Sequence, residues 1–528
     1  MTTKPARLTP ISPRKLVARI LDEPQLIGAV QSLEPRVLGR LIDHVGLEDC
    51  GEIVALATTA QLERIFDDDL WRGARPGEDE TFDADRFALW IEVMLEAGEA
   101  FTADKLAQLP EDLVTLALQR QVLVIDLDRM ALQLGGAPAA DRDWLEKALD
   151  SWLYLEIDQY RVISRQDERW DAIVAVLLAL DRDHHDLLQR LLERCCSLCT
   201  EFIEDNGGLY NVLCSEQMLA ADVAGEREDR RAIQGFVAPS AAASFFALAR
   251  STGLEQIAAA PRDPVTRAYF RQLAPALDRP GAGSTPSPSP DASPPDKLEG
   301  LLREAAVLEP LARPVGLLDG VAPGSPRSTP LEEALRQLGR RAPDLHRERR
   351  EELAFLANVL VAGCSLAGRS LRPLEAARAA VAACNLGLEH LLGTAERRAA
   401  EALLEGEPCD RLFRLGWHLL HHEVQLPAGR ALARALSSRA GDAPAGELAR
   451  VANRVRQAVA AGKPWIVLGR LDELHDVLDP AIAAALRGLL DECPSLAGTL
   501  AEDGVSREPQ FIATEAQRSR ARAFLEDL

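Results

Sequence analysis

The stretch Leu26–Gly46, LIGAVQSLEPRVLGRLIDHVG, decides how the chain is read. Leu26, Val30, Leu33, Val37, Leu41 and Val45 step by three or four residues, which places them on one face of an α-helix. Pro24 and Pro35 stand where a first helical turn tolerates proline, and Gly46 stands where a helix stops. The pattern restarts at Ile53, Val54 and Leu56. Thr58 and Gln61 then form a capping-box pair ahead of Leu62, Ile65 and Phe66. None of these short helices can bury its apolar face alone, so they must stack on one another. The expected fold class is mainly α, opening with a stacked helical-repeat domain.

The same reading extends outward. Asp83–Ala97 is amphipathic, with Phe87, Trp90, Ile91, Met94 and Leu95 inward, and Leu109–Leu118 weakly echoes Leu33–Leu41. Val122–Asp128 and Leu153–Ile163 break the helical period. They are rich in β-branched and aromatic residues and predict two or three short strands, a small antiparallel insertion over about residues 122–163. Asp171–Leu180 and Asp186–Glu204 return to helical spacing and end at Asn206–Gly208. Arg279–Lys297, RPGAGSTPSPSPDASPPDK, has no large apolar residue and is expected to be a disordered linker. With a short helix around Leu301–Leu311 and a second Pro/Gly-rich stretch at Val321–Pro330, it divides the chain. The expected domains are 1–278, a linker region 279–330, and a helical C-terminal domain 331–528. In the last of these, Arg350–Leu366, Pro373–Leu391, Cys409–Val424, Ala428–Leu436 and Pro480–Leu490 all read as helices, while Trp465–Leu468 suits a short strand or a buried turn.

Composition narrows the function classes. The 528 residues carry a net charge of −22, with 82 acidic against 60 basic side chains, which argues against a general nucleic-acid binder. No run approaches the roughly 20 apolar residues of a membrane span, and residues 1–15 lack the apolar core of a signal peptide. A cytoplasmic location is therefore expected, with nine cysteines held as reduced thiols.

Four groups of side chains are candidates for chemistry. Asp67, Asp68 and Asp69, followed by Glu78, Asp79 and Glu80, supply hard oxygen ligands, though without the spacing of a calcium loop. Cys195, Cys196, Cys199 and Cys214, with His184 and His185 nearby, are the soft-metal candidate, read first as buried structural thiols. His418, His421 and His422 lie at helical spacing beside Glu423, but the zinc-protease order H-E-x-x-H is missing. Arg227, Glu228, Arg230 and Arg231 in EREDRR form either a solvated charged helix or an arginine pocket for an anion. Nucleotide, dinucleotide and serine-hydrolase motifs are absent, so no catalytic residue and no cofactor is expected.

Several blocks carry a resemblance. LEDCGEIVALATTAQLERIFDDDLW (Leu47–Trp71), EREDRRAIQGFVAPSAAASFFALA (Glu226–Ala249), ELAFLANVLVAGCSLAGRSLRPLEAARAAVAACNLGLEHL (Glu352–Leu391) and LFRLGWHLLHHEV (Leu412–Val424) together resemble, over the whole chain, a bacterial all-helical protein family of unknown function. The N-terminal part is also loosely similar to the helical-repeat intracellular domain of bacterial magnesium transporters, although no membrane span accompanies it. The family resemblance implies no activity. The first functional expectation is thus a cytoplasmic, non-enzymatic scaffold or regulatory adaptor with a protein partner, without nucleic acid or membrane insertion, whose interaction candidates are the Asp67–Asp69 loop and Arg227, Glu228, Arg230 and Arg231. The alternatives are a cation or small-ligand sensor built on the acidic loop, and an enzyme of unrecognised type.

Overall fold

The structure is a computed structural model that describes residues 13–22, 25–73, 77–134, 152–200, 215–259, 262–277, 329–393, 399–440, 447–471, 478–501 and 509–528. The described chain is mainly helical with small antiparallel sheets. The expected linker Arg279–Lys297 and the helix around Leu301–Leu311 lie outside the described residues, as do Pro24 and Asn206–Gly208. By packing, the described chain forms two units. The first runs up to Arg72 and from Glu80 to Asp229; the second holds Gly73–Asp79 and the chain from Arg230 onward. Packing thus divides the chain ahead of the Pro/Ser/Gly-rich stretch. Its reason is apolar: Phe245 and Phe246, on helix Pro239–Ser251, stack among Phe355, Phe413 and Trp417 of the later helices.

The first unit opens with the short helices Pro13–Leu21, Leu26–Ser32, Pro35–Val45, Gly51–Val54 and Thr59–Asp69. In Pro35–Val45 the buried residues are Val37, Leu38, Leu41, Ile42 and Val45, the stripe read from the sequence, and Gly46 stops the helix at φ 102°. Only a residue without Cβ takes that angle readily. The Thr58–Gln61 capping box is made. Gln61 goes further: its Nε2 donates to the carbonyls of Val30 and Leu33, both at 2.9 Å, so the start of one helix satisfies the end of another. Phe66 meets Trp90 edge-on at 5.1 Å, joining this stack to helix Ala84–Glu96.

Two sheets belong to this unit. Strands β1 (Trp71–Arg72) and β2 (Thr81–Phe82) pair, and β3 (Val122–Asp126), β4 (Tyr154–Ile157) and β5 (Tyr160–Ser164) form an antiparallel sheet in the order β3-β5-β4. Val122, Val124, Ile157, Tyr160 and Val162 face its core.

At the centre of the second unit, helices Pro373–Leu392 and Cys409–Leu420 pack backbone against backbone. A methyl group added at Gly387 would run into the Leu412 carbonyl, and one at Gly416 into the Ala383 carbonyl. The alanine-rich face Ala376, Ala379, Ala380 and Ala383 makes such an approach possible. Three local expectations change here. Helix Pro343–Gly363 ends before the expected Leu366, because Ala367 and Gly368 at φ 53° and 79° turn a hairpin over 365–370. Trp465–Leu468 is a 3₁₀ turn over Pro464–Val467 that leads into a helix. The two helices expected at Cys409–Val424 and Ala428–Leu436 are one run from Cys409 to Ala440, bridged by a π-turn at His421–Gln425.

Candidate functional site

Strand β4 lies at the edge of its sheet, and no other described strand pairs with its outer side. The Ser164 amide donates to the Leu153 carbonyl at 2.9 Å, and Ile157 pairs with Tyr160 across a two-residue turn. Antiparallel alternation then turns the backbone N–H and C=O of Tyr154 and Glu156 outward, away from β5. Leading into this edge, Trp152, Leu153 and Tyr154 are 58%, 47% and 42% exposed. Across the strand pair, Arg161 lies over the Tyr154 ring at 4.5 Å and bonds Glu156 at 2.6 Å. Outward backbone groups that pair with no described strand, three consecutive large apolar side chains and an ordered charge pair share one short segment.

The acidic loop is engaged inside the first unit. Asp69 accepts from Arg86 at 2.7 and 3.1 Å and from Trp90 Nε1 at 2.6 Å. Asp67 is buried with Arg64 at 3.8 Å, and Asp68 is exposed. A cation at Asp69 would have to displace both of its donors. Arg227 is likewise committed: it is buried, donates to the Asp67 carbonyl, pairs with Glu80 and lies over Trp71 at 4.7 Å. Of its neighbours, Glu228 is exposed, Arg230 is half-buried, and Arg231 stacks on Phe236 at 4.4 Å.

Cys195 and Cys196 are buried, and Cys195 Sγ points to the Thr115 carbonyl at 3.8 Å. The Cys199 side chain and Cys214 lie outside the described residues. His184 bonds Asp104 at 2.8 Å. His185 turns one ring nitrogen to Asp181 at 2.9 Å and the other toward Asp158 at 3.7 Å. Among the described residues, these three are the one group with metal-ligand proximity. The hydrogen bond to Asp181 raises the His185 pKa, and a protonated imidazole between two carboxylates already accounts for the arrangement.

The three C-terminal histidines are placed by the π-turn. Pro427 has no N–H to give the Glu423 carbonyl, and its ring crowds that carbonyl; the widened turn just before it relieves the clash. His418 and His422 are stacked with ring centroids 4.2 Å apart. His422 Nε2 donates to the Arg250 carbonyl at 2.8 Å, at the end of helix Pro239–Ser251, whereas His418 Nδ1 is buried without a hydrogen-bond partner among the described residues, and burial lowers the His418 pKa. His422 thus satisfies a carbonyl that a helix end leaves open. His421 is buried, bonds Gln425 at 2.9 Å, and burial pushes its pKa down to about 4. Its ring lies 6.3 Å from Trp465, which also carries the Arg250 guanidinium at 4.3 Å.

Beyond the turn a cavity of about 420 Å³ opens between this helix and helix Glu515–Glu526. His422, Glu423, Arg430 and Arg434 line one side, Arg522 and Glu526 the other. The sequence reading missed the cavity, because its two walls lie about a hundred residues apart. Its one local sign was a proline inside an apolar-periodic helix.

A family model described as a family of unknown function (DUF6178) matches residues 3–206. Over that part the chain is similar to an uncharacterised family. No curated protein and no solved structure matches. The looser likeness to magnesium transporters finds no support in these comparisons.

Proposed function

We propose that this protein is a non-enzymatic adaptor that docks a protein partner on the outer edge of β4. The exposed Trp152-Leu153-Tyr154 run, leading into a strand edge that is unpaired among the described residues, carries the reading. An edge strand offers main-chain hydrogen bonds to an extended segment, while flanking apolar side chains supply burial. The net charge of −22 favours a basic segment and disfavours nucleic acid. The non-enzymatic part of the reading is supported by His184, His185, His421 and His422, which are committed to carboxylates, Gln425 and a backbone carbonyl. No described helix is long and apolar enough to cross a membrane, and a cytoplasmic setting is part of the proposal.

Tagged chain purified from its native host tests this. A stoichiometric partner should accompany the natural chain and be lost from a Trp152→Asp/Leu153→Asp variant that melts at the same temperature. A partner retained in full by that variant would overturn the edge as the docking site. The cation-sensor alternative predicts a rise in melting temperature with millimolar Mg2+ that Asp67→Asn, Asp68→Asn and Asp69→Asn together abolish; the Arg86 and Trp90 bonds to Asp69 favour no shift.

A further inference from the structure

We propose that the cavity beside the π-turn binds a small phosphorylated molecule that also carries hydroxyl groups. Arg430 and Arg434, four residues apart, stand on one face of helix Leu426–Ala440, and Arg522 faces them from helix Glu515–Glu526. Their existing partners differ. Glu423 already accepts from Arg522 at 3.1 Å and forms an ion pair with Arg518 at 3.2 Å, so its charge is neutralised within the fold. Among the described residues, Arg434 reaches only the Leu525 carbonyl, at 3.5 Å. Arg430 has no hydrogen-bond or ion-pair partner among the described residues, in a chain where acidic side chains outnumber basic ones 82 to 60. An arginine left over from such an excess of carboxylates, on the wall of a concave site beside two more, is placed for an anion from solution.

The number and direction of the arginines select the kind of anion. A planar carboxylate satisfies one guanidinium fork, whereas a tetrahedral phosphate offers oxygens to forks arriving from two helices. The cavity, at about 420 Å³, has room for more than phosphate alone. Glu526 would repel a second anionic group but accepts hydrogen bonds from hydroxyls, which sets the chemistry of the remainder. This assignment needs nothing from the β4 edge.

Calorimetric titration of glycerol phosphate, a hydroxylated monophosphate, into the full chain at low ionic strength tests it, with citrate as the carboxylate comparator. The expected result is one site per chain, weakened at least tenfold by Arg430→Glu and by Arg434→Ala, with citrate at least tenfold weaker than glycerol phosphate. Arg430 has no partner among the described residues, and an unchanged melting temperature verifies that Arg430→Glu leaves the fold intact. Absence of glycerol phosphate binding, equal binding by Arg430→Glu, or citrate binding as tightly as glycerol phosphate would each overturn the proposal.

Discussion

Asp410 and His421 are both buried in the second unit, and burial moves their protonation in opposite directions. Among the described residues Asp410 has no hydrogen bond to either carboxylate oxygen, with Arg414 at 3.7 Å and Arg262 at 3.8 Å as opposite charges. Burial outweighs them and raises its pKa to about 6. A carboxyl raised in this way favours the fold below its unfolded value near 4, and that contribution is lost as pH rises through about 6. His421, lowered to about 4, does the reverse: its contribution is full above about 6.5 and lost as pH falls toward 4. Each shift corresponds to roughly 3 kcal/mol. Urea unfolding of the full chain at pH 4.5 and 7 should therefore respond with opposite signs. Relative to the natural chain, Asp410→Asn should gain stability between pH 4.5 and 7, whereas His421→Gln should lose it. Parallel pH profiles for the natural chain and both variants would contradict the assignment. Asp491, also raised by burial to about 6, leaves a residual slope in Asp410→Asn. None of this was legible from residue order. Asp410 meets Arg262 only through the fold, just as Arg227 meets Asp67, and sequence spacing shows only neighbours on one element.

Elements were more legible, because their cause is local. The capping pair at Thr58–Gln61, Pro35 at a helix start and Gly46 at a helix end all act within one turn of the residues that signal them. The strands at 122–126, 154–157 and 160–164 followed from β-branched and aromatic runs. What periodicity missed was the close approach of the helices at Gly387 and Gly416, since an alanine-rich helix does not say which neighbour it will touch. Gly416→Ala should force Cys409–Leu420 away from the Ala383 carbonyl and cost at least about 2 kcal/mol, as overpacking does. Gly225→Ala, inside helix Ser215–Ile233 with nothing within 4 Å of the new methyl, should instead be neutral or stabilise by up to about 1 kcal/mol. Denaturant midpoints of the two variants measure the contrast, and equal losses would refute the packing argument. The same holds at the π-turn: the sequence predicts two helices, Cys409–Val424 and Ala428–Leu436, whereas the chain stays helical through Pro427.

For the whole molecule, the division into two units shows where sequence composition and packing part company. The Pro/Ser/Gly-rich stretch marked a boundary at residue 279, yet Phe245 and Phe246 draw the preceding helix into the second unit's core. The likeness to a family of unknown function reaches residue 206 and includes β4, so the proposed docking edge belongs to the part of the chain that the comparison covers. That edge was half legible: the strand could be read, but its place in the order β3-β5-β4 depended on a pairing of β3 with β5 that residue order does not state. The central claim is that a partner's extended segment pairs with this strand. Amide hydrogen exchange on the partner complex and on the chain alone tests it most directly. The account predicts slowed exchange at Tyr154 and Glu156, the amides turned away from β5, whereas unchanged exchange there with protection confined to other segments would contradict it.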